Sequence, residues 1–268
     1  MKRFFVFLLF LILFSPIAPS FGETALDLIA TGDTFFKKND FPKAIEAYTK
    51  AIEIEPTNIV TLNHRALAYT FSKKYNEAIA DYTKAITLDP KNAVLYANRG
   101  NAYGFIKKYN NAIADYDTAI GIDPKNADVY YNRGLVYGKT DKKDEAIKDF
   151  STVIGMNPKD IDAYFDRGST YLDTNAYDKA IADFTKVIGL EPNLLLAYLS
   201  RGIAYGSTKE YEKAIGDFST VIKKDPEFAV AFYYRGIAYY NKGDVEKAAE
   251  DINKACELGL EEACEILK

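Results

Sequence analysis

Six prolines, Pro56, Pro90, Pro124, Pro158, Pro192 and Pro226, follow one another at intervals of 34 residues. A period of that length marks a chain that stacks like units in a line, each resting on its neighbours, rather than closing around one core. The same interval governs Ala44, Ala78, Ala112, Ala146, Ala180, Ala214 and Ala248. It also governs a small-residue series, Gly32, Ala66, Gly100, Gly134, Gly168, Gly202 and Gly236. Seven units therefore fill residues 25–262, divided as 25–58, 59–92, 93–126, 127–160, 161–194, 195–228 and 229–262, with 263–268 left as a capping segment.

The third unit, "AVLYANRGNAYGFIKKYNNAIADYDTAIGIDPKN", shows apolar and small residues recurring twice at helical spacing around a polar "KKYN" turn. Each unit is thus predicted to be a helical hairpin, and the fold class all-α. Glycine inside a helix costs about 1 kcal/mol against alanine, so its recurrence at one register predicts a neighbouring helix too close for a side chain. Tyr103, Tyr137, Tyr171, Tyr205 and Tyr239 are expected to fill the space beside that contact. Each proline ends the second helix, which it cannot continue.

Arg65, Arg99, Arg133, Arg167, Arg201 and Arg235 share one register, and Asp81, Asp115, Asp149, Asp183, Asp217 and Asp251 share another. The first unit lacks both, with Thr31 and Ala47 in their places. Partners present together and absent together predict a clamp inside each hairpin, built of charge-assisted hydrogen bonds. Pairing with the aspartate of the preceding unit would leave Arg65 facing Ala47 and Asp251 unpaired. The competing expectation is that the arginines touch a ligand.

The spacing of Leu95 or Tyr96, Gly100, Tyr103, Ala112, Tyr116, Ala119 and Pro124 resembles the tetratricopeptide repeat, over almost the whole chain from residue 25 onward. The resemblance implies a right-handed superhelical solenoid whose first helices line a concave groove for a peptide or protein segment. On that expectation His64, Asn98, Asn132, Asp166, Ser200 and Tyr234 point inward, with Asn63, Asn101 and Tyr131 beside them. Amides offer donor and acceptor together to an extended backbone; the plain alternative is solvated polar surface. Asp128, Asp162, Asp166 and Asp173 make units four and five acidic, and Leu199, Ile203, Tyr233, Tyr234 and Ile237 make the last two apolar. A segment with basic and hydrophobic parts suits that surface, and a second copy of the chain, giving a homo-oligomeric structural component, is the alternative cover. The lysine and asparagine clamp of the family's co-chaperones is missing, since its registers hold Ile29, Asn63, Val94 and Asp128.

Lys2 and Arg3, the apolar block Phe4–Phe14, the break at Ser15 and Pro16 and the small residues Ala18, Ser20 and Gly22 are ordered as a secretory signal peptide, residues 1–22. Cleavage after Ser20 or Gly22 and a periplasmic or extracellular location are expected. The apolar block is short of the ~20 residues a membrane span needs; an uncleaved anchor is the alternative and the only membrane contact expected. Loss of the two cations of residues 1–22 moves the net charge from -4 to -6. That balance argues against a nucleic-acid partner, and no run of five like charges marks a polybasic membrane patch.

Cys256 and Cys264 in "ACELGLEEAC" would stand about 12 Å apart on one straight helix, too far for a disulfide, but Gly259 interrupts it. Their spacing also resembles Sel1-like repeats, in which such cysteines join adjacent helices. In an oxidising compartment that resemblance favours a disulfide, with free buried thiols as the alternative. Two cysteines without an adjacent histidine make no metal site, and no cofactor is expected. His64 is the single histidine and most carboxylates follow the repeat register, so no catalytic constellation forms and no enzyme is expected.

Overall fold

The structure, a computed structural model, describes residues 23–267; the expected signal peptide lies outside the described residues. Seven helical hairpins follow in register: α1 (Ala25–Lys37) with α2 (Phe41–Ile54), α3 (Ile59–Phe71) with α4 (Tyr75–Leu88), α5 (Ala93–Phe105) with α6 (Tyr109–Ile122), α7 (Ala127–Lys139) with α8 (Lys143–Met156), α9 (Ile161–Asp173) with α10 (Tyr177–Leu190), α11 (Leu195–Ser207) with α12 (Tyr211–Lys224), and α13 (Ala229–Lys242) with α14 (Val245–Glu257). A short α15 (Glu261–Ile266) closes the array. It starts before the capping segment drawn at residue 263, because Gly259 turns the chain at φ 90°. That turn brings the Cys256 and Cys264 Cα atoms to 4.8 Å, and the two sulfurs are bonded.

Side-chain caps open several helices: Thr24 and Asp27 cap each other's amides at α1, and Asn58, Asp160 and Asp244 accept from Thr61, Ala163 and Lys247 amides. Between the two helices of each hairpin one residue is left-handed. It is Asn39, Lys73, Lys107, Asp141, Asn175 or Lys209, at φ 57–64°, and only the last hairpin places a glycine there, Gly243. The next amide reaches back to close the first helix, as Lys74 N to Tyr69 O at 2.8 Å and Lys108 N to Tyr103 O at 2.9 Å.

The glycine register lies where a side chain cannot fit. A Cβ at Gly100 would meet Tyr116 Cε1 at 2.8 Å, and one at Gly202 would meet Phe218 Cε1 at 2.6 Å. The ring in that place belongs to the second helix, in the series Tyr48, Tyr82, Tyr116, Phe150, Phe184 and Phe218, all buried. Tyr103 and its repeats were expected there; instead they are half-buried and face the arginines, with Arg133 5.6 Å from the Tyr137 ring and Arg201 5.7 Å from Tyr205.

Each of the six arginines donates from Nε and Nη2 to both oxygens of its own hairpin's aspartate at 2.7–2.8 Å. The expected clamp is therefore present. A further bond was not expected: Nη1 donates to the second helix of the preceding hairpin, at Thr49, Thr83, Asp117, Ser151, Thr185 and Ser219. The arginine is a three-point staple, holding its own hairpin closed and tying it to the one before.

Consecutive first helices touch one another, α1 with α3, α3 with α5 and onward to α11 with α13, while the second helices stand apart. Stacking of that kind curves the array with the first helices inside. Among the described residues no helix is long and apolar enough to cross a membrane.

Candidate functional site

The inner face opens into a cavity of about 730 Å³ that spans α3 to α7. Asn98, Asn101 and Asn132 of the first helices reach it beside Leu67, Leu135 and Val136. Its walls come from the turn edge of the hairpins: Phe71, Tyr75, Phe105 and Tyr109. Tyr75 stacks on Phe105 at 5.0 Å and Phe71 on Phe41 at 5.4 Å, which shows the turns of successive hairpins lying side by side. Phe71 and Phe105 nonetheless stay 59% and 60% exposed. Lys73 and Lys139 complete the rim, and no carboxylate lines the cavity.

The residues expected to face a ligand are divided among several places. Asn98, Asn101 and Asn132, with Tyr131, also line a neighbouring opening of about 310 Å³. Asn63 accepts a bond from Asn98 Nδ2 at 3.2 Å, so the two amides form one pair. His64 sits farther along the array, its Nδ1 2.9 Å from Asp33 and its ring edge-on to Tyr48. Ile203, Tyr234 and Ile237 share a separate cavity of about 230 Å³ under the last two hairpins. Tyr233 packs beside Cys256 and Leu260 at the closing end. Leu199 must be removed from the groove set: it is buried in a cluster with Phe218, Val221 and Ala231 of the neighbouring helices, although Asn63 and Tyr131 at the same register stay half-buried.

Asp166 is committed too, accepting from the Tyr131 hydroxyl at 2.6 Å. Burial raises its carboxyl above the usual range, and that bond and the more distant Lys139 offset only part of the effect. Burial likewise pushes the Tyr116 hydroxyl far above its ordinary range, so it remains a donor, bonded to Asn101 Oδ1 at 2.7 Å. Tyr48 bonds Asp33 in the equivalent way at 2.7 Å. Tyr82 finds Leu67 in that place and keeps only the Thr70 hydroxyl nearby, outside good hydrogen-bond geometry. Tyr116→Phe is accordingly expected to lose about 1 kcal/mol, and Tyr82→Phe to be neutral or stabilising, in matched denaturant melts. Equal losses would show that the two hydroxyls are equivalent.

Chemically this surface can hold extended chain through amides and enclose an apolar side chain between aromatic walls. Among the described residues no cluster of His, Cys, Asp or Glu is arranged to hold a metal ion. Sequence reasoning missed Phe71, Phe105, Lys73 and Lys139. Their signal was an aromatic at the last position of α3 and α5, where α7, α9 and α11 carry Lys139, Asp173 and Ser207.

Profiles of the TPR repeat match residues 32–72 and 107–141. Profiles of the tetratricopeptide repeat match 59–92 and 127–160, 81–114, 161–194 and 199–259. No curated protein matches the chain. Among solved structures, YrrB, a TPR protein with an unusual peptide-binding site, is 27% identical with a TM-score of 0.61, covering 66% of this chain and 92% of its own. MamA is 33% identical with a TM-score of 0.60, covering 64% and 93%. A tetratricopeptide repeat protein from Parabacteroides merdae ATCC 43184 is 25% identical with a TM-score of 0.66, covering 92% and 98%. The repeat is typically a non-catalytic interaction scaffold. Hairpins in register, a small residue at one register of every first helix and profile matches through nearly all of the array agree: the superhelix is right-handed, and the chain belongs to the tetratricopeptide repeat family.

Proposed function

We propose that this protein is an exported scaffold that holds a peptide or protein segment of a partner in its concave groove. The observation that carries the reading is the cavity of about 730 Å³, where three amides face inward between aromatic walls whose Phe71 and Phe105 rings remain exposed. A fold that needed those rings for stability alone would bury them. The similarity to YrrB supports a peptide as the occupant. The order of basic, apolar and small residues at 1–22 and the bonded Cys256 and Cys264 support a location outside the cytoplasm.

The test is a crosslinking pull-down from envelope extract with the full chain, run beside an Asn98→Ala, Asn132→Ala variant of unchanged helical content. A partner recovered by the first and lost by the second is the expected result. The same partners with both forms, or recovery of the chain alone with a mass that rises with concentration, would overturn the groove reading; the latter would favour self-assembly. Recovery of the chain in the cytoplasmic fraction with free thiols would overturn export.

A further inference from the structure

The turn edge of the second and third hairpins gathers charge that the sequence disperses. Lys73 and Lys74, and Lys107 and Lys108, stand at successive turns, and the stacking of Tyr75 on Phe105 shows that those two edges are neighbours; at the fourth turn Lys143 already lies 3.7 Å from both Asp141 and Asp173. The absence of a basic run in the sequence therefore does not carry over to the surface. Two of these lysines, Lys73 and Lys107, are left-handed at φ 60°, a conformation that is unfavourable for a residue with a Cβ. Backbone geometry favours glycine there, so lysine is not explained by the turn. Lys73 and Lys139 then flank the aromatic cavity, which no carboxylate lines although the chain as a whole is acidic.

The cavity is deep at its middle because Gly104 leaves it open: a Cβ there would meet only Val136 Cγ2, at 3.9 Å. We infer that this cavity takes an acidic segment of a partner protein, seating one aromatic side chain between Phe71 and Phe105 with flanking carboxylates on Lys73 and Lys139. The inference rests on the groove reading above and adds the chemistry of its occupant. It differs from the basic and hydrophobic segment expected from the aspartates of units four and five, because the Asp166 carboxylate is already engaged by Tyr131. A concave site with inward amides suits a peptide backbone better than a lipid surface, which needs protruding apolar groups.

Fluorescence anisotropy with the full chain and three labelled peptides, Glu-Glu-Phe-Glu-Glu, Glu-Glu-Ala-Glu-Glu and Lys-Lys-Phe-Lys-Lys, tests this. The acidic phenylalanine peptide is expected to bind at least about tenfold more tightly than the other two and to weaken as salt is raised. Gly104→Leu, which fills the cavity, and Lys73→Asn with Lys139→Gln, which removes both charges, are each expected to weaken it by about tenfold. Leucine favours the helix more than glycine and asparagine tolerates the left-handed turn, so circular dichroism should be unchanged. Equal binding of all three peptides, affinity unaltered in the variants, or no binding of the acidic phenylalanine peptide would overturn the inference. Tighter binding of the basic peptide, weakened by Asn98→Ala, would overturn it while leaving the groove reading intact. Binding of phosphatidylglycerol vesicles in place of every peptide would overturn both.

Discussion

Arg133→Ala is expected to cost about 3–5 kcal/mol, the usual penalty for stranding one member of a buried ion pair. Its partner Asp149 is 2% exposed and loses both guanidinium bonds, of 2.7 and 2.8 Å. Arg133 also bonds Asp117 of the preceding hairpin at 2.5 Å, where the other arginines meet a hydroxyl. The hydrogen bonds it donates to Asp149 and Asp117, with the charge of Asp149, hold its guanidinium above even the ordinary arginine range despite partial burial. The double variant with Asp149→Ala should lose clearly less than the sum of the single losses, because no buried charge is then left alone. Additive losses would remove the clamp. Arg133→Lys should recover only part of the loss, since one ammonium cannot fill a forked site. Hydrogen exchange should rise first on both sides of the α6 and α7 boundary, as expected when one interface of a linear array is weakened.

Glycine substitutions are expected to split in sign by register. Gly121, Gly155, Gly189 and Gly216 are helical, and a Cβ at each would meet nothing within 4 Å. Changing all four to alanine should stabilise the chain by roughly 2–3 kcal/mol, from about 0.5–1 kcal/mol per site, with less at sites in a last helical turn. Gly202→Ala should instead cost roughly 1–2 kcal/mol despite the same helical gain, because its methyl must displace the Phe218 ring. That ring lies against Tyr234 at 6.0 Å and is 2% exposed, so it has little room to yield. Thermal melts of the two variants should move in opposite directions; stabilisation by both would mean that the register is not set by close approach. The second hairpin carries Ala66 at this position, so the array accepts a methyl where the packing has adjusted to it.

The repeat, its hairpins, the small-residue register and the arginine–aspartate clamp were all legible in one dimension. Each depends on contacts inside a unit of fixed length, where helical geometry converts spacing directly into proximity. Pairing could be read because both partners vanish together at Thr31 and Ala47. The inward placement of Asn98, Asn101 and Asn132 was legible for the same reason, since each keeps its register on a first helix.

Contacts between units were not legible, because the angle at which hairpins stack sets them and no short spacing encodes it. The third arm of each arginine ends on a hydroxyl or carboxylate of the preceding hairpin. Leu199 resembles its groove neighbours in sequence, yet it points between hairpins and is buried. Phe71 and Tyr75 meet Phe41 and Phe105 only through stacking, and Lys73 and Lys139, two hairpins apart, reach one cavity only because the superhelix brings their helix ends to it. Local pattern and composition thus specify the unit and its internal bonds, while the curvature of the stack creates the cavity and the charge beside it.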